Sequence, residues 1–389
     1  MGTSTVRTRG SSAPPWLILA GAAAIFGMAV LWLVAIQGVV RAGRSGPSAP
    51  TAGSERFSYV QFGIAVDTVY TASAEAPQQR TEAFEAPHAA SYGIVASLSP
   101  DGKHIAYNAL PPETARPTPD SPADVWVAAL DGSRGPTLVA SGADLLVRPV
   151  WSPSGNTLVF RRSTPQPGIA GDFRLSEVDL VSLAVRDLVL SPGAALFPVG
   201  FGPGGGVLYY VRLEPAASDL FALDVGAVEP RFVARLADYL TRDWALSPQG
   251  SRLAYLALVL DGGTASSRAL VLDLETRQVA PAGSGPGAEF SPVWSATGDE
   301  LTVGRLTPGA AASGVARRSI SDLPALPAPR KGFDVPLAWS SAGGRLAVRA
   351  FDGDSITNPG RSTLVLIDES GKRLKIADGE VTFLGWISH

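Results

Sequence analysis

Cysteine is absent from the 389 residues. Disulfides, thiolate metal sites, cysteine nucleophiles and a lipid anchor on an N-terminal cysteine are thereby excluded, and stability must come from a packed core. Histidine is nearly absent too, limited to His88, His104 and His389. His104 follows a turn, His88 lies between two strand-like runs and His389 is the last residue, so their spacing suggests no converging metal site. Basic runs are missing. The net charge is −3, and residues 1–50 hold Arg7, Arg9, Arg41 and Arg44 but no acid, so the remainder is four charges more negative than the whole. A mildly acidic body without a positive stripe argues against nucleic-acid binding.

The chain is rich in turn formers, with 42 glycines and 32 prolines placed without a fixed short period. That composition excludes collagen and favours a turn-rich all-β fold. Val, Leu and Tyr dominate the short apolar runs, as strands prefer. One long apolar run stands apart. Residues 17–40, LILAGAAAIFGMAVLWLVAIQGVV, hold a single polar side chain, Gln37. As a helix this run would reach about 36 Å, enough for a hydrocarbon core of about 30 Å. It is longer than the apolar region of a cleaved signal peptide, the rival reading, and it ends in Arg41. Residues 16–41 are therefore expected to form an uncleaved transmembrane helix after a short polar tail, 1–15. Residues 42–56, small, polar and proline-containing, are expected to be a flexible linker. The slight excess of positive charge on the N-terminal side points to a cytoplasmic tail and an extracytoplasmic body.

Within that body one hairpin is written six times. SLSPDGKHIAY (97–107), VWSPSGNTLVF (150–160), GFGPGGGVLYY (200–210), ALSPQGSRLAY (245–255), VWSATGDELTV (293–303) and AWSSAGGRLAV (338–348) each place a turn between two apolar runs. The turn glycines Gly102, Gly155, Gly205, Gly250, Gly298 and Gly343 are 53, 50, 45, 48 and 45 residues apart. A strand-rich repeat of that length indicates propeller blades of about four strands. The fifth repeat is the poorest, with VARRSISDL as a weak third strand and no clear fourth before Lys331. The C-terminal VTFLGWIS, 381–388, matches the first strand of a blade and then stops. Its missing strands match FSYVQFGIAV (57–66), DTVYTAS (67–73) and RTEAFEA (80–86) at the other end of the body. Residues 57–389 are therefore expected to form a seven-bladed β-propeller with one blade built from both termini, six blades being the alternative.

These hairpins, SPDG-type turns after an apolar or Trp position and before [LI]-A-[YV], resemble the TolB-like, WD-related β-propeller repeats. SLSPDGKHIAY is the nearest copy and ALSPQGSRLAY the next; the others lose the proline, the serine or the acidic residue. The resemblance spans residues 57–389 and implies the fold. Such propellers serve as periplasmic scaffolds and as gates on peptidases, so it does not choose a function. The peptidases carry an α/β-hydrolase domain, which needs a G-x-S-x-G elbow and a later histidine. No G-x-S-x-G occurs here, and the repeats use residues 57–389.

The Ser-Pro-x-Gly segments read as turn chemistry: Ser and Asp bond to backbone, Pro presets φ and Gly supplies positive φ. Trp151, Trp294, Trp339 and Trp386 read as packing between blades, with Trp244 shifted by two places. Asp352, Asp354 and Asn358 could supply oxygen ligands to a calcium ion but lack the rest of an EF-hand loop. The strongest candidate site is positional. The first strand of each blade lines the central channel. Five residues before the Ser-Pro proline stand Val95, Arg148, Pro198, Asp243, Ser291, Pro336 and Phe383. Arg148 and Asp243 are the charged members, flanked by Arg242 and Asp334. These four are the candidate ligand-binding residues of the channel mouth, for a small acidic or zwitterionic ligand; the bland alternative is an Arg–Asp pair. No catalytic residue, metal or cofactor is expected. The leading expectation is a non-catalytic scaffold that binds a protein or peptide partner, with a small-ligand sensor and a propeller enzyme as alternatives.

Overall fold

The computed structural model describes residues 55–387, apart from 167–168, 262–263, 284–286, 308–309, 311 and 320–325. The expected transmembrane helix, most of the linker and His389 lie outside the described residues. No helix among those described is long and apolar enough to cross a membrane.

Seven antiparallel sheets form, ordered from an inner to an outer strand. Blade 1 joins the two ends of the body: Val381–Ile387 is innermost, followed by Arg56–Gln61, Val66–Ser73 and Thr81–Pro87. The innermost strands of blades 2 to 7 are Val95–Leu98, Val150–Trp151, Ala195–Phe201, Thr241–Leu246, Ala288–Trp294 and Gly332–Trp339. Neighbouring inner strands touch in order, and the last returns to the first, so the ring is closed. This settles seven blades over six. Among the described residues blade 6 has three strands, ending with Val315–Ser319 where the sequence was weakest. Ala312–Ser313 crosses instead to blade 7 and pairs in parallel with Gly332 and Phe333.

The turns form as their residues dictate. All six turn glycines have φ between 66° and 76°. The hydroxyls of Ser99, Ser152, Ser247, Ser295 and Ser340 each accept the backbone N–H five residues on, at 2.9–3.2 Å. The Ser-Pro-x-Gly segments are therefore folding devices, with Ser bridging the hairpin and Gly reversing it. Gly155 and Gly332 separate two costs. A Cβ on Gly155 would meet nothing within 4 Å, whereas one on Gly332 would lie 1.8 Å from the Phe351 carbonyl oxygen. Gly155→Ala is expected to cost about 1–2 kcal/mol from the left-handed backbone alone. Gly332→Ala, at φ 79°, is expected to cost about 3 kcal/mol or more, because the backbone must also move. Urea denaturation of the two variants checks this; equal losses would mean that the close approach contributes nothing.

The core lies between blades. The interface of blades 7 and 1 buries Phe57, Tyr59, Leu364, Leu366 and Phe383, and that of blades 4 and 5 buries Val211, Leu220, Leu253 and Tyr255. Tryptophans staple these interfaces. The indole N–H of Trp151 donates to Ser97 O, that of Trp294 to Ala245 O, that of Trp339 to Thr302 Oγ1 and that of Trp386 to Ala338 O, each in the preceding blade. Trp244, two places out of the column, bonds Thr241 in its own strand and packs on Phe197.

Candidate functional site

Each blade passes the chain to the next over one face of the ring, here called the crossover face; the Ser-Pro-x-Gly turns lie on the other, the hairpin face. Polar side chains tie the crossovers down. Asn108 Nδ2 donates to Asp144 O at 3.0 Å and to Val147 O at 2.8 Å. Ser218 Oγ donates to Tyr239 O at 2.5 Å and accepts from Thr241 N at 3.0 Å. Asp67 accepts from Gly63 N at 2.9 Å and Ile94 N at 2.7 Å. Each buried backbone group of these loops that gains a partner avoids a desolvation cost of about 1–3 kcal/mol. These described loops are thus held in place by side chains.

The inner strands then bulge. In blades 1, 4, 5, 6 and 7 the ladder skips at the same place, at Leu384, Val199, Asp243–Trp244, Ser291–Pro292 and Leu337. Asp243 and Ser291 have φ of 53° and 51°. A bulge lifts a residue out of the pleat and re-aims its side chain. Of the column read from the sequence, Asp243 and Ser291 fall in these bulges, and Pro198, Pro336 and Phe383 stand one residue before them.

Arg148 precedes the inner strand of blade 3, in the same column. It is exposed to water, yet desolvation by the surrounding protein holds its guanidinium below the usual pKa. Arg161 and Arg349 are lowered in the same way, but acids act on both: Asp144 pairs with Arg161, and the charge of Glu380 reaches Arg349. Arg349 also donates to Val381 O and Thr382 Oγ1. Among the described residues Arg148 has no ion pair or hydrogen bond, and desolvation is the sole influence on its pKa.

The other three candidates are placed differently. Arg242 and Asp243 are exposed and face each other at 4.0 Å, so Asp243 pairs with its neighbour and not with Arg148. Asp334 does not open on the channel. Its side chain is 1% exposed and accepts two bonds from Arg373 of the outer strand Arg373–Asp378, at 2.6 and 2.8 Å. Desolvation raises the Asp334 pKa, with Arg373 acting against it.

His88 belongs to a buried pair that spacing did not reveal. Its Nε2 lies 2.9 Å from Asp67 Oδ1, both side chains being 0% exposed, and its Nδ1 lies 2.9 Å from Ala89 O. The Nε2 contact is close but poorly aligned for a hydrogen bond. Asp352 is occupied by Arg361, and Asp354 by Ser355 and Asn358. Among the described residues no three His, Asp or Glu gather as a metal-holding group. A cleft lined by Val259, Arg268, Leu270, Pro281 and Glu289 opens between blades 5 and 6, and Glu289 is already bonded to Arg305 and Ala269 N.

No protein-family model matches the chain, and no curated protein sequence does. Solved structures do match. TolB from Acinetobacter baumannii is 16% identical, with a TM-score of 0.51 over 87% of this chain and 68% of that one. The fold is that of a TolB-like β-propeller. A structure from a study of two prolyl endopeptidases is 16% identical with a TM-score of 0.60, over 86% of this chain and 50% of that one. An oligogalacturonate lyase from Vibrio parahaemolyticus is 9% identical with a TM-score of 0.56, over 84% and 87%. The TolB-like propeller is thus shared with a peptidase and a lyase, and at these identities it shows architecture alone.

Proposed function

We propose that the protein is a non-catalytic binding module, tethered to the cell membrane by residues 17–40, whose extracytoplasmic propeller docks a protein or peptide on its crossover face. The observation that carries this reading is the crossover loop before Arg148, held by Asn108 and presenting an exposed arginine that has no ion pair among the described residues. Connectivity supports it. Arg56 pairs with Ile387 and Gln61 with Val381, so the chain from residues 1–54 joins the ring on the hairpin face. A tether attached there leaves the crossover face pointing away from its attachment. Rigid blades with irregular crossovers suit recognition, and a tether raises the effective concentration at the membrane.

Cross-linking the full-length protein on intact membranes, followed by affinity capture and mass spectrometry, tests the proposal. A specific partner is expected, with capture reduced about tenfold by Arg148→Gln and unchanged by Lys103→Glu on the hairpin face. Capture of the same proteins by all three forms would sink the docking reading. Protease digestion of intact cells that spares residues 60–389 would overturn the extracytoplasmic placement.

A further inference from the structure

We infer that the hairpin face rests on the lipid bilayer, with the turns 180–184 of blade 3 and 225–230 of blade 4 inserted into its interface. This contact deepens the membrane tether proposed above and rests on it; no docked partner is needed.

Both turns join the third strand of a blade to its fourth. Leu180 N donates to Asn156 O at 2.9 Å and Val225 N to Gly206 O at 2.8 Å, so each turn sits beside the hairpin turn of its own blade. A Cβ on Gly205 would come within 3.5 Å of Pro153, which sets the two hairpin turns side by side. Out of this corner stand Val181, Leu183, Val225 and Val228, which are 85%, 48%, 57% and 91% exposed. The corresponding turns of blades 1, 2, 5 and 7 each carry an acid and a base, as Glu275 with Arg277 and Glu369 with Lys372, and no large hydrophobic side chain is exposed in them. The turn of blade 3 has no charge, and that of blade 4 only Glu229.

The surface between them is also free of charge. Residues 152–156, SPSGN, and 202–206, GPGGG, hold no ionisable side chain. The donors of the blade 3 turn are already engaged, since Asp179 accepts from Val181 N and from Ser182 N and Oγ. Taking such a turn out of water therefore costs less. Exposed apolar side chains gathered in one place mark a contact surface, where scattered ones do not.

The chain's exit selects the bilayer as the occupant. Glu55 O accepts from Ala74 N at 2.8 Å and the Glu55 carboxylate pairs with Arg345 at 3.2 Å, so the exit toward the apolar run is pinned on this same face. Only residues 41–54 separate Glu55 from that run. A flexible chain of that length has a mean span of about 20 Å. The bilayer then stays close enough for a weak contact to persist. Blades 3 and 4 lie two and three places round the ring from blade 1. Tether and apolar turns thus hold the face at two separate places, which leaves the crossover face outward.

Fluorescence quenching of the full-length protein in phosphatidylcholine vesicles tests this. The native chain has no cysteine, so Val228→Cys takes a single nitrobenzoxadiazole label. Ala216→Cys, exposed at the opposite, crossover end of blade 4, takes the control label. A fraction of the lipid carries a nitroxide near the top of its acyl chain. Interfacial side chains sit about 5–10 Å into the headgroup and acyl boundary, so quenching at 228 is expected to exceed that at 216 at least about threefold. Val181→Glu combined with Val225→Glu, both at exposed positions, should remove most of that difference, because a carboxylate resists burial in lipid. Similar quenching at 228 and 216 overturns the inference. Blue-shifted emission at 228 without quenching also overturns it, and gives the patch to a second copy or another protein. Extraction of the unlabelled protein with alkaline carbonate reads the tether separately. Release from the vesicles fails the tether and this contact together, whereas retention without quenching at 228 fails the contact alone.

Discussion

A chain ending at residue 380 is expected to lose most of its stability. The strand Val381–Ile387 pairs along its length with Arg56–Gln61 and supplies the inner strand of blade 1. It buries Val381 and Phe383, and Phe383 and Trp386 both pack on Phe57. Burial of such side chains is worth about 1.5–3 kcal/mol each, so three contribute about 5–8 kcal/mol before any ladder bond is counted. Whole domains are stable by only about 5–15 kcal/mol. Removal also bares the edge of Arg56–Gln61, with Phe57 and Tyr59 beside it, and an unpaired edge invites aggregation. The expected result is a shortened protein that unfolds at far lower temperature and urea, or that is already expanded. Phe383→Ala, which keeps the strand, should cost about 3–5 kcal/mol. A melting temperature within about 2 °C of the native value would show that the ring does not depend on its closing strand.

The second large effect centres on Asp67. Its carboxylate meets His88 and accepts two backbone N–H groups, from Gly63 and Ile94, one on each of two loops. Asp67→Ala would leave a buried imidazole and two buried donors without partners. Breaking a buried pair from one side costs about 3–5 kcal/mol, and urea denaturation should show a loss of that order. The pair also makes stability depend on pH. Burial alone would lower the pKa of His88, but its contact with Asp67, the Asp67 charge and the Ala89 carbonyl outweigh burial, and the net direction is up. A histidine raised in the folded state binds its proton more tightly there than when unfolded. Its contribution is therefore complete below the unfolded value of about 6.5 and is lost as pH rises through the higher folded value. Urea midpoints of the native protein, compared with those of His88→Gln, should show this loss on the alkaline side of about pH 6.5. A native–variant difference that stays constant from about pH 5.5 to 9 would mean that His88 is neutral in the fold.

Much of the architecture was legible because its causes are local. A turn needs Ser, Pro and Gly within four residues, and those residues repeat at blade spacing, so the six hairpins could be read directly. The split blade was legible for a related reason: Trp386 falls in the column of Trp151, Trp294 and Trp339, and the strands missing after it stand at residues 57–86. The weak repeat before Lys331 became the three-stranded blade, as its thin strand pattern implied. The column through Arg148 and Asp243 met an irregularity only at Asp243 and Ser291, where the inner strands of blades 5 and 6 bulge.

Pairing was not legible, because it depends on which side chains the closed ring brings together. Asp334 looked like a channel acid from its place in the chain, but Arg373, 39 residues away, lies beside it in the same blade and removes it from the mouth. Asp243 looked like a partner for Arg148, but the cation that comes within 4.0 Å of it is its neighbour Arg242. His88 looked like a connector, and only the packing of blade 1 against blade 2 set it on Asp67. The sequence by itself determined the repeat, the turns and the joining of the two ends, since turn chemistry and strand alternation act over a few residues. The tertiary structure alone decided which charges are neutralised, since that follows from distances and desolvation that exist only once seven blades close into a ring.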